Sequence, residues 1–118
     1  MKLQGRVAVI TGGGIGIGAA IARLFAREGA RVALIELDGA RGERTAREIR
    51  EAGGDCRCHA ADVSRADQVA RAAAQILEQH PVVDVLVNNA GIWRPGRVVD
   101  LDEQTWDSVL GTNLKGIF

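Results

Sequence analysis

"TGGGIGIG", residues 11–18, sets five glycines in eight positions directly behind the apolar run "RVAVI" at 6–10. A strand that passes abruptly into bare backbone must turn tightly, often through positive φ, and the missing side chains let another group approach the peptide N–H donors. A helical pattern runs from about Gly16 to Glu28, so those donors lie at a helix N-terminus, where the dipole favours an anion such as a pyrophosphate. Spacing narrows the choice of anion. A P-loop needs Lys and Ser or Thr after its last glycine, and Ala19-Ala20 follow Gly18, which disfavours nucleoside triphosphate hydrolysis. The common dinucleotide fingerprint fits loosely, as Gly14-Ile15-Gly16 with Ala19 in the third place. The arrangement that fits throughout is Thr11-Gly12, three residues, then Gly16-Ile17-Gly18.

Around this loop, short β-branched runs alternate with helical patterns. "RVAVIT" (6–11), "RVALIE" (31–36), "DCRCHA" (55–60) and "VVDVLVN" (82–88) predict strands. The first helix presents Ile17, Ala20, Ile21, Leu24 and Phe25 on one stripe and stops at Gly29, a residue suited to a left-handed C′ position. The second spans about 40–51. Ser64 followed by Asp67 has the form of a capping box, opening a third helix with Val69, Ala73, Ile76 and Leu77 inward until His80-Pro81 ends it. A fourth begins near Asp102, carries Trp106, Val109 and Leu110, and is expected to run to residue 118. This alternation implies an α/β fold of the Rossmann type: one doubly wound parallel sheet, strand order 3-2-1-4, with flanking helices and ligands at the carboxyl ends of the strands.

Composition agrees with one soluble globular domain. The 118 residues are 47% hydrophobic and 25% charged, and 15 basic side chains balance 15 acidic ones, which argues against broad capture of nucleic acid or an anionic membrane. No run approaches the ~18–20 apolar residues of a membrane span, and the opening stretch lacks a secretory cleavage pattern, so a cytoplasmic location is expected. Cys56 and Cys58 share one strand face without good disulfide geometry, and with His59 they supply too few ligands for zinc.

Five landmarks in order make the sequence resemble the short-chain dehydrogenase/reductase family: "TGGGIGIG", the acidic Glu36 ending the second strand, "ADV" at 61–63, "NNAG" at 88–91 and "TNLKGIF" at 112–118. The resemblance covers the whole chain and implies a hydride transfer between a nicotinamide dinucleotide and an alcohol or carbonyl. It places the diphosphate on Gly12, Ile15, Gly16, Ile17 and Gly18. It gives Glu36 the ribose hydroxyls, and the same charge would repel a 2′-phosphate of about −1.5 to −2, so NAD is expected rather than NADP. The Ile15 side chain offers a 2′-phosphate nothing, whereas Arg41 could swing toward one. Asp62 and Val63 line the adenine pocket by resemblance. Ala90 and Gly91 let the cofactor pass close to the fourth strand's end, with Asn88 bracing structure and Asn89 touching the cofactor.

Of the family's catalytic set, Asn113 alone has a counterpart, as the residue holding a water in the proton relay. The chain contains no tyrosine, and the family's serine and Tyr-x-x-x-Lys would fall after Phe118. Lys115, His59 and His80 offer no substitute. The expectation is therefore the cofactor-binding amino-terminal half of a larger enzyme, a homo-oligomer when complete. Its fourth strand should present an unpaired apolar edge prone to aggregation or to pairing with another chain. Trp93 and Arg94 in "GIWRPGRVV" stand where substrate could reach. Two other readings remain: a non-catalytic dinucleotide-binding or interaction module, and an S-adenosylmethionine-dependent methyltransferase, which leaves "NNAG" unexplained.

Overall fold

Strands rich in valine, isoleucine and leucine can be buried on both faces only if helices cover both, and the chain builds that layering. The computed structural model describes all of residues 1–118. Its elements are β1 (Val7–Thr11), α1 (Gly16–Arg27), β2 (Arg31–Glu36), α2 (Gly39–Glu51), β3 (Asp55–Ala60), α3 (Ala66–Gln79), β4 (Val85–Val87) and α4 (Glu103–Leu110). A π-helical turn over Gly111–Lys115 extends α4. The four strands form one parallel sheet in the order β3-β2-β1-β4, as the alternation predicts. No helix is long and apolar enough to cross a membrane.

Side chains alternate across the sheet. Ala8, Ile10, Val32, Leu34 and Cys56 meet Ala22, Ala46 and Ile49 under α1 and α2. Val9, Ala33 and Ile35 meet Ala72 and Ile76 of α3 on the opposite face. Both cysteines lie toward the first face and are unpaired. Gly29 takes φ +89° just past α1, the expected left-handed stop.

Several local expectations are corrected. The buried face of α1 is Gly18, Ala19 and Ala22; Ile21 and Phe25 are half-buried beside it, while Ile17, Ala20 and Leu24 face outward. Small residues let the helix axis approach the sheet, and the large ones straddle that contact. The same rotation in α3 buries Ala72 and Ile76, half-buries Val69 and Ala73, and leaves Leu77 exposed. Ser64 does not cap α3: its Oγ donates to Asp62 Oδ1 at 2.6 Å, and Arg65 takes the cap position without a side-chain bond. The π turn and a final non-helical stretch replace a single helix to residue 118.

β4 is three residues long, where 82–88 was expected. Asp84 keeps one backbone bond to β1, its N–H donating to the Val7 carbonyl at 2.9 Å, and its side chain clamps the same strand. Its carboxylate accepts the Val7 N–H at 2.8 Å and the Arg6 guanidinium at 2.8 Å. Beyond β4 the chain packs thinly. No residue of 92–118 is buried, and Trp93, Val98 and Val99 are exposed. The radius of gyration, 15.0 Å, accordingly exceeds the about 13.5 Å of a compact chain this long.

Two outcomes follow from the ionisable groups. Burial pushes the Cys56 thiol up to about 12 and Cys58 to about 11. Because the thiolate is the reactive form, alkylation at pH 8 should proceed at least about tenfold more slowly in the native chain than in urea, checked by mass spectrometry of labelled peptides. The Val7 N–H, then Arg6, hold the Asp84 carboxyl below its usual range. That contribution is full above the unfolded value of about 3.9 and is lost as pH falls through the lower folded value. Asp84→Asn should thus melt below the wild type at pH 7, with the gap closing below about pH 4 in a calorimetric series.

Candidate functional site

The carboxyl ends of β1 and β4 converge, and the glycines are what permit it. Gly12 has φ +66°, and a Cβ there would stand 2.9 Å from Ala90 Cα and 3.0 Å from Asn89 Nδ2. Thr11 joins the two strand ends: its Oγ1 accepts the N–H groups of Asn89 at 3.1 Å and Ala90 at 3.0 Å and donates to the Val87 carbonyl at 3.4 Å. The Asn89 amide nitrogen donates to the carbonyls of Thr11 at 3.1 Å and Gly12 at 3.2 Å. A Cβ on Gly18 would meet the Gly12 carbonyl oxygen and lie 2.6 Å from the same amide. Gly12, Gly16 (φ +56°) and Gly18 thus answer to close approach and positive φ, the three positions that the spacing singled out.

Gly13 and Gly14 do something else. A Cβ on Gly13 would lie 2.5 Å from Leu34 Cδ2, and one on Gly14 would lie 2.9 Å from the Glu36 carboxylate, so the arch leans onto β2. Gly14 donates its N–H to Glu36 Oε2 at 2.9 Å, and Thr45 Oγ1 donates to the Gly14 carbonyl at 3.0 Å. The α1 N-terminus behind the arch has no side-chain cap, because Ile15 at that position cannot supply one. Its first N–H groups face the loop without an internal partner.

The arch opens on a cleft of about 710 Å3, within the range of small-molecule sites, along the carboxyl ends of the strands. Its walls bring together Gly12, Ile15, Ile17, Glu36, Asp62, Val63, Asn89, Ala90 and Gly91. Gly16 and Gly18 shape the turn from behind, and Asn113 stands beside the cleft on the π turn between cleft-lining Thr112 and Lys115. Ile15 and Ile17 are exposed apolar rims.

Several side chains are committed in ways the sequence did not reveal. Glu36 is 3% exposed, with Oε1 accepting from Arg41 Nη2 at 2.7 Å. Asp62 Oδ1 accepts from the Ser64 N–H and hydroxyl, so this carboxylate holds the turn before α3. The bracing amide belongs to Asn89, whereas Asn88 is exposed and was expected to brace. Asn113 pairs both amide atoms with Ile92, accepting its N–H at 2.7 Å and donating to its carbonyl at 2.8 Å, which ties the π turn to the segment after β4. Arg94 and Lys115 line the cleft, while Trp93 is 81% exposed. Thr11 and Thr45 were missed as site residues. A threonine ending a strand is an ordinary β residue in sequence, and nothing local to Thr45 marks the carbonyl it reaches.

A parallel α/β sheet with a glycine arch, an uncapped helix N-terminus and an acidic second-strand end defines a dinucleotide-binding fold. The pattern of the short chain dehydrogenases matches residues 6–118, and the chain belongs to the short-chain dehydrogenase/reductase family. It is 36% identical over its full length to a 3-oxoacyl-[acyl-carrier-protein] reductase of Thermotoga maritima, covering 48% of that protein. It is 41% identical over 99% of its length to D-threitol dehydrogenase of Mycolicibacterium smegmatis, covering 45%. Among solved structures it resembles a metagenomic short-chain oxidoreductase in complex with NADP (TM-score 0.92, 44% identity, 98% of this chain and 53% of that one). It also resembles the 3-ketoacyl-(acyl-carrier-protein) reductase of Brucella melitensis complexed with NADH (TM-score 0.90, 39% identity, 98% and 46%). The chain spans about half the length of these relatives.

The glycine geometry gives a direct outcome. Gly18→Ala forces a methyl against the Gly12 carbonyl and should cost about 1–3 kcal/mol by overpacking. Gly16→Ala meets open space and should cost only the left-handed strain of about 1–2 kcal/mol. Urea unfolding of both variants measures the difference.

Proposed function

We propose that the chain is the cofactor-binding half of a nicotinamide-dependent oxidoreductase acting on an alcohol or carbonyl, with NAD preferred over NADP. The observation that carries this reading is the uncapped α1 N-terminus opening, through an arch no side chain could share, onto a cleft whose wall holds Glu36 against that arch. When bound, the nicotinamide ring would donate or accept the hydride.

The chain's own residues bind and orient. The N–H groups from Gly16 onward offer donors to a diphosphate, with the helix dipole behind them. Glu36 keeps acceptor capacity for ribose hydroxyls beyond the bonds it accepts from Gly14, Arg41 and, at 3.5 Å, the Asp38 N–H, since a carboxylate has about four lone-pair sites. Val63 offers the adenine an apolar wall, and Asp62 has a second carboxylate oxygen beside its turn bonds. Ala90 and Gly91 keep the β4 end narrow. The Asn113 amide is occupied by Ile92, so its share in a water relay would fall to its backbone carbonyl.

A proton must also reach the reacting oxygen. With no tyrosine in the 118 residues, we assign that task to a serine and Tyr-x-x-x-Lys outside them. The same portion, or a second copy, would cover exposed Leu86 at the β4 edge and the apolar segment around Val98 and Val99. A second reading is a dinucleotide-binding module without catalysis.

Titration of the chain with NADH and NADPH, followed by tryptophan quenching and calorimetry, should give saturable binding with NADH tighter. Binding of neither, or tighter NADPH, would overturn the assignment. Appearance of dehydrogenase activity only when a segment bearing Ser and Tyr-x-x-x-Lys is joined to the chain separates the enzyme from the module.

A further inference from the structure

Thr45 stands in the middle of α2 and is buried. A threonine inside a helix can turn its hydroxyl back onto a carbonyl one turn earlier. Here Oγ1 reaches across the fold instead and donates to the Gly14 carbonyl at 3.0 Å. The Gly14 N–H is engaged as well, by Glu36 Oε2 at 2.9 Å, so the peptide groups on both sides of this buried residue are fastened. Neither Gly13 nor Gly14 has a side chain to resist rotation. The orientation of these peptide groups is therefore set by the bonds they make.

A trans peptide unit is planar and points its carbonyl and the following N–H in opposite directions. The Gly14 carbonyl is drawn inward to Thr45, so the N–H of the same unit, on Ile15, is turned the other way. Ile15 is exposed and lines the cleft, and its N–H has no partner within the chain. The next residue opens α1, whose first N–H groups are likewise uncommitted.

We infer that Thr45 is a positioning residue: through the Gly14 carbonyl it holds one peptide plane so that the Ile15 N–H joins the α1 donors facing a bound diphosphate. This rests on the cofactor reading of the cleft and adds to it a side chain that touches no ligand. Without the hydroxyl, the Gly14 carbonyl is buried and short of a donor, and turning it outward to water relieves that cost. The same turn takes the Ile15 N–H out of the cleft and sets a carbonyl oxygen against the phosphate oxygens. Affinity then falls by the fraction of molecules that still present the N–H.

Two substitutions separate the hydroxyl from the packing: Thr45→Val keeps the shape and removes the donor, and Thr45→Ser keeps the donor and removes a methyl. NADH and ADP are titrated by calorimetry at a temperature where circular dichroism shows each chain folded. Thr45→Val should weaken both ligands by about three- to tenfold, as follows when the presenting orientation is populated about a third to a tenth of the time. Thr45→Ser should stay within about twofold of wild type. Loss of packing alone would lower the melting temperature of the variants without separating their affinities. The Ile15 amide resonance gives a readout that needs no variant: in wild type it should move downfield and exchange more slowly with solvent when ADP binds. Wild-type affinity in Thr45→Val, equal weakening in Thr45→Ser, or an Ile15 amide that bound ADP leaves unmoved would each overturn the inference while leaving the cofactor site intact. Binding of neither NADH nor ADP by the folded wild type would instead overturn the site, and the inference with it.

Discussion

Gly12 and Ala90 approach so closely that no side chain could stand between them, and the geometry of the cleft depends on that contact. Two strand ends brought this near leave several peptide groups facing one another, and buried peptide groups need partners. Thr11 and Asn89 supply them, one hydroxyl serving three bonds and one amide two. Gly18 then seats on the Gly12 carbonyl, which fixes where α1 starts and aims its N-terminus into the cleft. The aim of the uncapped α1 N-terminus is therefore a by-product of how two strands are stitched. Its donors are held by the core rather than by a flexible loop.

The second constraint is a buried carboxylate. A charge taken out of water costs several kcal/mol unless paired and hydrogen-bonded, and Glu36 meets this with the Gly14 N–H and the Arg41 guanidinium. Those bonds couple the glycine arch to β2 and α2, with Thr45 closing the circuit at the Gly14 carbonyl. The second-strand carboxylate and the glycine arch are one network. A change at Glu36 is felt at both.

Much of this was legible in the residues. Strand runs at 6–11, 31–36 and 55–60 fall within a residue of the observed elements: the first two because β-branched runs bounded by glycine and acidic residues have few other uses, the third, which has no β-branched residue, through its place in the alternation after Gly53-Gly54. The order 3-2-1-4 followed from right-handed crossovers. What failed was rotational and local. Ile17 and Leu24 look inward by hydrophobicity, but contact distance is decided by small residues, so Gly18, Ala19 and Ala22 took the sheet. Ser64 and Asp67 matched a cap by spacing, yet Asp62, two positions upstream, bound the hydroxyl first. Thr45 carries no signal in a linear reading, and Arg41, singled out as able to swing toward a phosphate, showed no sign of its tie to Glu36. Their partners are set by packing.

The Asp84 clamp bears on the order of assembly. Val7 and Asp84 are 77 positions apart, whereas β1 and β2 are joined through a single helix. Chain closure over longer separations is slower, so the three strands β3, β2 and β1 can register before β4 docks. Until then the opening strand has a vacant flank, and neither Asn89 nor Ala90 has reached the glycine turn. On a ribosome, the nascent polypeptide would carry a three-stranded sheet with one bare flank until the last strand emerged, and the cleft would take shape in the closing step of folding.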